Sequence, residues 1–598
     1  MSDSVFPAFL GVERSMLGRR WRGRLDARGE AQALALTQAH GIDDFLARVI
    51  AGRGVTVADA AGYLDPKLRD LMPDPSSLRD MDAATSRLAH AIETGEQIAI
   101  FGDYDVDGAC SAALLIDYWR AASAPVPLLH IPDRIVEGYG PNVEAIRDLA
   151  ARGATLLITV DCGTTSHEAF GIARALGLDV IVLDHHQAPE VLPEALVVNP
   201  NRLDDLSGQG GLCAAGVVFL ALAGLSRTLR ARGWWGDDRP APDLLAALDL
   251  VALATVADVA PLVRLNRALV AKGLSVMAAR SRPGLAALMD AARLDRAPRA
   301  RDLGFALGPR INAGGRIGDA GLGARLLTLA DGAEAHRIAA ALDRLNSERQ
   351  LVERATLEQA IAQAEAQLAR SNRLSCLVLE GANWHPGVVG LIASRLKERF
   401  NIPAFVIAFN GENGTGSGRS LSGVDLGQAV RRAVDLGLAA KGGGHAMAAG
   451  VTLARDRLDE FRVFLNESLE AAVEAARRDD ALVVDAALAG RGVSLELLRR
   501  LERAGPFGQG NPEPLFALPE QQVAFAQTVG TDHVRARLRS RDGATVDAIA
   551  FGVASSPLGE ALLRGDGAPF HVAAKLSCNV FRGIERVETR IVDLARVQ

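Results

Sequence analysis

Cysteine is scarce in this chain. Its five cysteines among 598 residues, Cys110, Cys162, Cys213, Cys376 and Cys578, are odd in number, scattered, and form no CxxC pair. That spacing argues against a zinc ribbon and leads us to expect a reducing, cytoplasmic setting. Positive charge is not in excess either. A net charge of −6 gives no global pull toward nucleic acid, so any such contact must come from a local groove of clustered lysine and arginine. Long apolar runs are also missing. The best candidate, residues 244–263, is interrupted by Asp249 and Asp258, which favours a buried helix or strand over a membrane span. Arg19 and Arg20 imitate a twin-arginine signal, but no apolar segment follows them and export is not expected.

The rest of the composition, 49% apolar and 23% charged with 60 glycines and 5% aromatics, is that of a globular protein. The length suggests about four domains. The chain is organised around residues 98–111, IAIFGDYDVDGACS. An apolar run too short for a helix reads as a buried strand stopped by Gly102, and it delivers Asp103, Asp105 and Asp107 at its carboxyl end, where open α/β sheets place their sites. Three carboxylates this close repel unless a cation neutralises them. A solvated acidic turn is the alternative on this stretch alone.

Two further strands repeat the organisation. Residues 155–160 (TLLITV) run into Asp161, and residues 180–183 (VIVL) run into Asp184, His185 and His186. Both are continuous and β-branched, as parallel strands buried on two faces should be, with helical segments between them as βαβ crossovers. Three strand ends carrying carboxylate or imidazole make a metal cluster the better reading. Asp258 is a fourth contribution: a lone carboxylate in the apolar run VALATVADVAPL must be paired or a ligand, because burying it bare costs several kcal/mol.

Further along, Gly138 and Gly140 make a turn that can present Arg134 to an anion. GPRINAGGRIGDAG reads as a glycine-rich loop carrying Arg310 and Arg316. Residues 334–370 read as an exposed connecting helix, after which strand, helix and strand recur. NGTGSGRS, with Arg419 and Ser420, reads as a glycine loop, and KGGGHAMAAGVTL contains His445. Glycine loops beside arginine and histidine suit a phosphate, although a structural turn is the more frequent cause. From about residue 485, five short strands suggest a small barrel of the oligonucleotide-binding type. Arg535, Arg537 and Arg539 recur there at period two, fitting a nucleic-acid face or a solvated edge. Near the start, Arg19, Arg20, Trp21, Arg22 and Arg24 read as a surface arm or a stacking, phosphate-neutralising patch.

Taken in order, GDYDVDG, TVDCG, LDHHQ and ATVADVAPL, then GPRINAGGR, GGGHAMAAG and GPFGQGNPEP, resemble the motifs of the DHH phosphoesterase superfamily and, within it, the bacterial RecJ exonucleases. Only the first eighty residues lack a matching motif. The resemblance implies an α/β, multidomain chain: a mixed segment over 1–80, a parallel-sheet DHH catalytic domain over 81–333, a connecting helix over 334–372, an α/β DHHA1 domain over 373–470, and an OB-like β-barrel over 475–598. It implies two divalent metal ions, Mn²⁺ or Mg²⁺, one held by Asp105 and Asp161, the other by Asp107, Asp161, His185 and Asp258. Phe101 stands where several relatives have a histidine ligand, so Asp103 or water is expected to complete the first site. His186 is expected to orient or stabilise the phosphate, with Arg134, Arg310, Arg316, Arg419, Ser420 and His445 as phosphate contacts. The implied activity is 5′-to-3′ hydrolysis of single-stranded DNA to 5′-mononucleotides in recombination and repair, by a monomer working with a helicase and a single-strand-binding protein, away from membranes. A phosphodiesterase of short oligonucleotides or cyclic dinucleotides, and a non-catalytic single-strand-binding scaffold, are the alternatives.

Overall fold

The computed structural model describes residues 7–597 apart from 135, 372, 479, 566, 582 and 583. The described residues group into two compact units, one drawn from 1–72, 261–271 and 480–598, the other from 73–260 and 272–479.

The second unit contains two sheets. The first is a five-stranded parallel sheet in the order Leu128–His130, Ile98–Gly102, Leu156–Val160, Asp179–Leu183, Leu196–Val198. Ile98–Gly102 and Leu156–Val160 are buried at every position, which is why their sequences run apolar without alternating. On one face Ala99, Phe101, Leu157, Val180 and Val182 share a core with Ile146, Leu149, Phe170 and Ala173 of the crossover helices Val143–Ala151 and His167–Ala175. The register is the functionally important feature. Gly102 pairs with Val160, Val160 with Leu183 and Leu183 with Val198, so the next residues, Asp103, Asp161, Asp184 and Asn199, stand side by side on one sheet edge.

The second sheet is mixed, in the order Lys441–His445, Ala448–Ala454, Asn413–Arg419, Ala404–Asn410, Leu377–Gly381, with only the last pair parallel. Asn413–Arg419 and Lys441–His445 are therefore strands rather than the glycine loops expected. Glycine is tolerated because neighbouring side chains cover it: a Cβ on Gly414, Gly416 or Gly418 would come within 3 Å of Phe409, Ile407 or Phe405 respectively. GPRINAGGRI also differs from expectation, forming the helix Gly308–Ile317. Here glycine permits close approach, since a Cβ on Gly315 would lie 2.7 Å from the Tyr104 carbonyl oxygen.

Between the sheets runs the 39-residue helix Gly332–Arg370, N-capped by Asp331, whose carboxylate accepts from the Ala333 and Glu334 amides. It is less exposed than its charge pattern suggested. Ala335, Ile338, Ala339, Leu342, Ala360 and Ala364 form a buried seam against the helices Pro283–Ala291, Gly308–Ile317 and Val389–Phe400. Among the described residues one helix, Ala214–Ala231, is long and apolar enough to cross a membrane, and 72% of it is buried inside the fold, as a core helix would be. Residues 244–263 include a shorter helix, Leu248–Ala257, that stops at Asp258.

In the first unit, strands Phe516–Val529, His533–Arg539, Thr545–Ala550, Ile584–Arg596 and Phe570–Phe581 pair in that order, and the last pairs back to the first to close a barrel. The basic aromatic cluster is neither an arm nor a stacking patch. Arg20–Gly23 is a strand paired in parallel with Ala481–Val484. Trp21 is wholly buried, its Nε1 donating to Asp593 at 3.1 Å, and Arg24 pairs with Asp485 at 2.7 Å. Burying that ring removes far more apolar surface than an exposed arm would.

Candidate active site

The aspartates of GDYDVDG divide their work by position. Asp105 is the N-cap of the helix Val106–Ala121, its Oδ1 accepting from the Asp107 amide at 2.8 Å and the Gly108 amide at 3.2 Å. The turn requires glycine, because a Cβ at Gly108 would lie 2.3 Å from the Asp103 carbonyl oxygen. Asp107, one residue into the helix, is buried. Its two carboxylate oxygens accept from the Ala214 and Ala215 amides at 2.6 and 2.8 Å, at the N-terminus of Ala214–Ala231, where unsatisfied N–H groups and the helix dipole favour an anion. Asp258 follows the last residue of Leu248–Ala257. Asp161 has a left-handed backbone, φ 61°, a conformation costing about 1–3 kcal/mol that persists where its surroundings fix it.

These residues converge on His185. Its Nε2 lies 3.2 Å from Asp161 Oδ1, 3.8 Å from Asp107 Oδ2 and 3.8 Å from Asp258 Oδ2. That nitrogen is buried and makes no hydrogen bond, and the same is true of Asp103 Oδ1. Three sets of donor atoms lie within 4.8 Å of one another: Asp107, His185 and Asp258; Asp103, Asp105 and Asp161; Asp161, His185 and His186. Burial first, and then the neighbouring carboxylates, push Asp161 well above the usual carboxylate range and Asp258 up to about 8. Asp103 is likewise raised by burial and by Asp105. A cluster that disfavours its own charge, with orphaned donors aimed inward, is what divalent cations relieve, and mixed carboxylate and imidazole donors fit Mn²⁺ or Mg²⁺. Phe101 supplies no ligand, and His130, stacked on it with ring centres 5.0 Å apart, directs its Nε2 to Glu137 at 2.9 Å.

His186 is held differently. Its Nδ1 lies 2.8 Å from Asp184 Oδ1. Burial disfavours its cation, but that hydrogen bond and charge outweigh burial and raise the imidazole to about 9. Burial opposes the charge on Asp184 as well, yet the bonds from His186 and Thr164 hold its carboxyl well below the ordinary range.

The phosphate candidates are only partly brought together. Arg134 lies with its guanidinium 5.1 Å from the centre of the Tyr104 ring. Arg316 is depressed to about 10 by burial and then by Arg134 and Arg349, with Arg419 adding to the effect and Asp105 opposing it. Arg419 is lowered by burial and by Arg134. The three guanidiniums thus lie within one another's field, and Arg316 also feels Asp105. His445 feels His186 and His185 after its own burial. Two candidates stand apart. Arg310 is directed to Asp343 at 2.9 Å and to the Ala306 carbonyl at 2.7 Å, because it projects from a different helical face from the Asn312 and Arg316 pair, which are four residues apart. Ser420 is buried, its hydroxyl donating to the Val424 carbonyl at 2.6 Å, and its place by Arg419 is taken by Ser417, whose Oγ accepts from Arg419 at 2.9 Å.

Sequence reasoning passed over several supporting groups. Tyr139 donates to the Asp161 carbonyl at 3.1 Å and lies 3.2 Å from His186 Nδ1. Asn199 donates to the His186 carbonyl at 2.8 Å and Asn201 to the His185 carbonyl at 2.5 Å. Asn312 accepts from the Val106 amide at 3.1 Å. The strand run ending VVNPN was the available signal for Asn199, since it repeats the pattern of a polar residue after a buried parallel strand.

Comparison with known proteins finds relatives over most of the chain. Residues 97–255 match the DHH family, N-terminal domain, residues 373–471 the DHHA1 domain, and residues 484–593 the RecJ OB domain. The single-stranded-DNA-specific exonuclease RecJ of Dickeya dadantii (strain 3937) is 38% identical over 561 residues, which cover 92% of this chain and 95% of that protein. The crystal structure of RecJ in complex with Mn²⁺ from Thermus thermophilus is similar with a TM-score of 0.76 and 32% identity, covering 94% of this chain and 78% of that one. The corresponding complex with Mg²⁺ gives a TM-score of 0.71 and 31% identity, covering 95% and 77%.

Proposed function

The chain belongs to the RecJ family of DHH phosphoesterases, and from that premise we propose that it is a single-stranded-DNA-specific exonuclease that works from the 5′ end and releases 5′-mononucleotides. The observation that carries this reading is the buried, unpartnered Nε2 of His185 among three carboxylates. Asp107, Asp161, His185 and Asp258 would hold one divalent cation. Asp105 and Asp161 would hold a second, completed by the orphaned Asp103 oxygen where Phe101 offers none, and Asp161 would be shared. Bound there, paired cations activate water and neutralise charge on the attacked phosphodiester.

The remaining work falls to side chains. Arg134, Arg316, Arg419 and His445 grip the strand's terminal phosphate through charge-assisted hydrogen bonds, which sets the first phosphodiester beyond it against the carboxylate cluster. Water adds to phosphorus, the P–O3′ bond breaks, and a proton passes to the departing O3′. His186, hydrogen-bonded to Asp184, is the group able to hydrogen-bond a phosphate oxygen or supply that proton. Each of these contacts is to phosphate rather than to a base edge, which suits action on any sequence. The barrel face bearing Arg535, Arg537 and Arg539, which is exposed at those positions, would add sequence-independent phosphate contacts.

The test is digestion of a long single strand labelled at either end. Loss of the 5′ label as mononucleotide in Mn²⁺, abolished by chelator and by Asp161→Asn, is expected. Asparagine is the substitution of choice because it tolerates the left-handed backbone of position 161. Cleavage of dinucleotides with long strands left intact would replace this reading with a small-substrate phosphodiesterase.

A further inference from the structure

A cavity of about 600 Å³ lies within the catalytic unit, lined from the helices Gly308–Ile317, Gly332–Arg370 and Val389–Phe400. Neither the carboxylate cluster nor Arg134, Arg419 or His445 lines it; Arg316 does, and so does Asn312, the residue that accepts the Val106 amide beside Asp105. Cavity and active site therefore share a wall. Its volume falls in the range of small-molecule sites.

The lining is cationic with one aromatic face. Arg316, Arg349, Arg354 and Arg395 stand against Glu353 and Glu398. Glu353 accepts from Arg349 at 2.5 Å and lies 3.5 Å from Arg395, which is 3.7 Å from Glu398. The two carboxylates are thus matched by Arg349 and Arg395, leaving Arg316 and Arg354 without an ion pair among the described residues; Arg316 donates to the Gly387 carbonyl at 3.0 Å and has Asp105 as its acidic neighbour on the active-site side. Arg349 is buried and its Nε has no hydrogen bond. Phe305 contributes a ring that is 78% exposed, in the π-helical turn Leu303–Leu307, with the Arg301 guanidinium 5.7 Å from its centre. Single π turns in helices concentrate at functional sites. Unmatched guanidiniums for a phosphate and a free ring for a base are the two halves of nucleotide recognition.

We propose that this cavity is a nucleoside 5′-monophosphate site that receives the released mononucleotide, with Arg316 passing its phosphate from the active site toward Arg354 and Phe305 stacking its base. The proposal rests on the exonuclease reading above, but its test does not require turnover. Binding of dTMP to the full-length protein is measured in chelator, so the result stands even if no strand is digested. Arg354→Glu and Phe305→Ala, both at exposed side chains, should each weaken dTMP binding by about tenfold or more. An affinity changed by neither, or changed only by Arg419→Ala, would confine the nucleotide to the phosphate pocket and overturn the proposal. In a digestion assay, added dTMP should slow the wild-type protein, and Arg354→Glu should relieve that inhibition. Acceleration by dTMP would instead identify free nucleotide as an effector and overturn the role in product release.

Discussion

Two clusters of buried charge occupy the same unit and follow opposite rules. Arg282 lies between two helices' carboxylates, with Nη1 2.6 Å from Asp117, Nε 3.0 Å from Asp249, and a further bond to the Leu327 carbonyl at 3.0 Å. Every charge there meets its opposite. In the carboxylate cluster, Asp107, Asp161 and Asp258 gather around His185 and Asp103 and Asp105 join Asp161, and among the described residues no arginine or lysine forms an ion pair with any of them. The first cluster is complete as protein and holds helices together. The second is balanced only when cations join it, which is the physical difference between a structural ion pair and a metal centre.

Exchanging their charges should separate the two clusters clearly. The largest effect is expected from Asp161→Asn, which should lower the nuclease rate on the order of 10³-fold or more, as loss of transition-state charge stabilisation does. Its effect on stability should have the opposite sign. A carboxyl raised in the folded state opposes folding once ionised, so at neutral pH without metal the asparagine variant should melt above the wild type. Arg282→Ala should do the reverse, costing about 3–5 kcal/mol by leaving the buried Asp249 carboxylate without its cation while Asp117 keeps Arg120 at 3.5 Å, and the protein that remains folded still responds to Mn²⁺; denaturant titration reads both. Next, His186→Gln should lower kcat by about 10²-fold with Mn²⁺ binding retained, the magnitude expected of a lost proton donor. Asp184→Asn should follow it, since Asp184 acts through His186. The smallest effect belongs to the exposed Arg537, whose replacement by alanine should flatten the salt dependence of single-strand binding by about one unit of slope.

The same contrast explains what could be read from the chain alone. The parallel strands were legible because both their faces are buried, which writes an unbroken apolar run ending abruptly in aspartate or histidine. Asp105, Asp107, Asp161, His185 and Asp258 stand out in the sequence for that reason or as a lone carboxylate in an apolar run, and the structure groups Asp107, His185 and Asp258 together and Asp105 with Asp103 and Asp161. Glycine misled, because it marks close approach as well as turns. Gly315 lets a helix sit against the Tyr104 backbone, and Gly418 lies beneath the Phe405 ring, so three expected loops are a helix and two strands. Arg310 and Arg316 could not be ranked without knowing that they face different sides of that helix. Trp21 was misread for a related reason: a tryptophan flanked by arginines looks exposed until its strand partner Leu482, far downstream in the chain, is known. Supporting groups such as Tyr139 and Asn312 act through one or two hydrogen bonds each, which leave no periodic trace.

The metal centre is tested most directly by the melting temperature of the wild-type protein and of Asp161→Asn, each with chelator and with Mn²⁺. Mn²⁺ is expected to raise the wild-type value, and the variant is expected to melt higher than the wild type in chelator and to gain little from the metal. A variant that melts lower in chelator, or a wild type indifferent to Mn²⁺, would mean that the carboxylate edge is balanced within the protein and would contradict the metal centre on which the proposed activity depends.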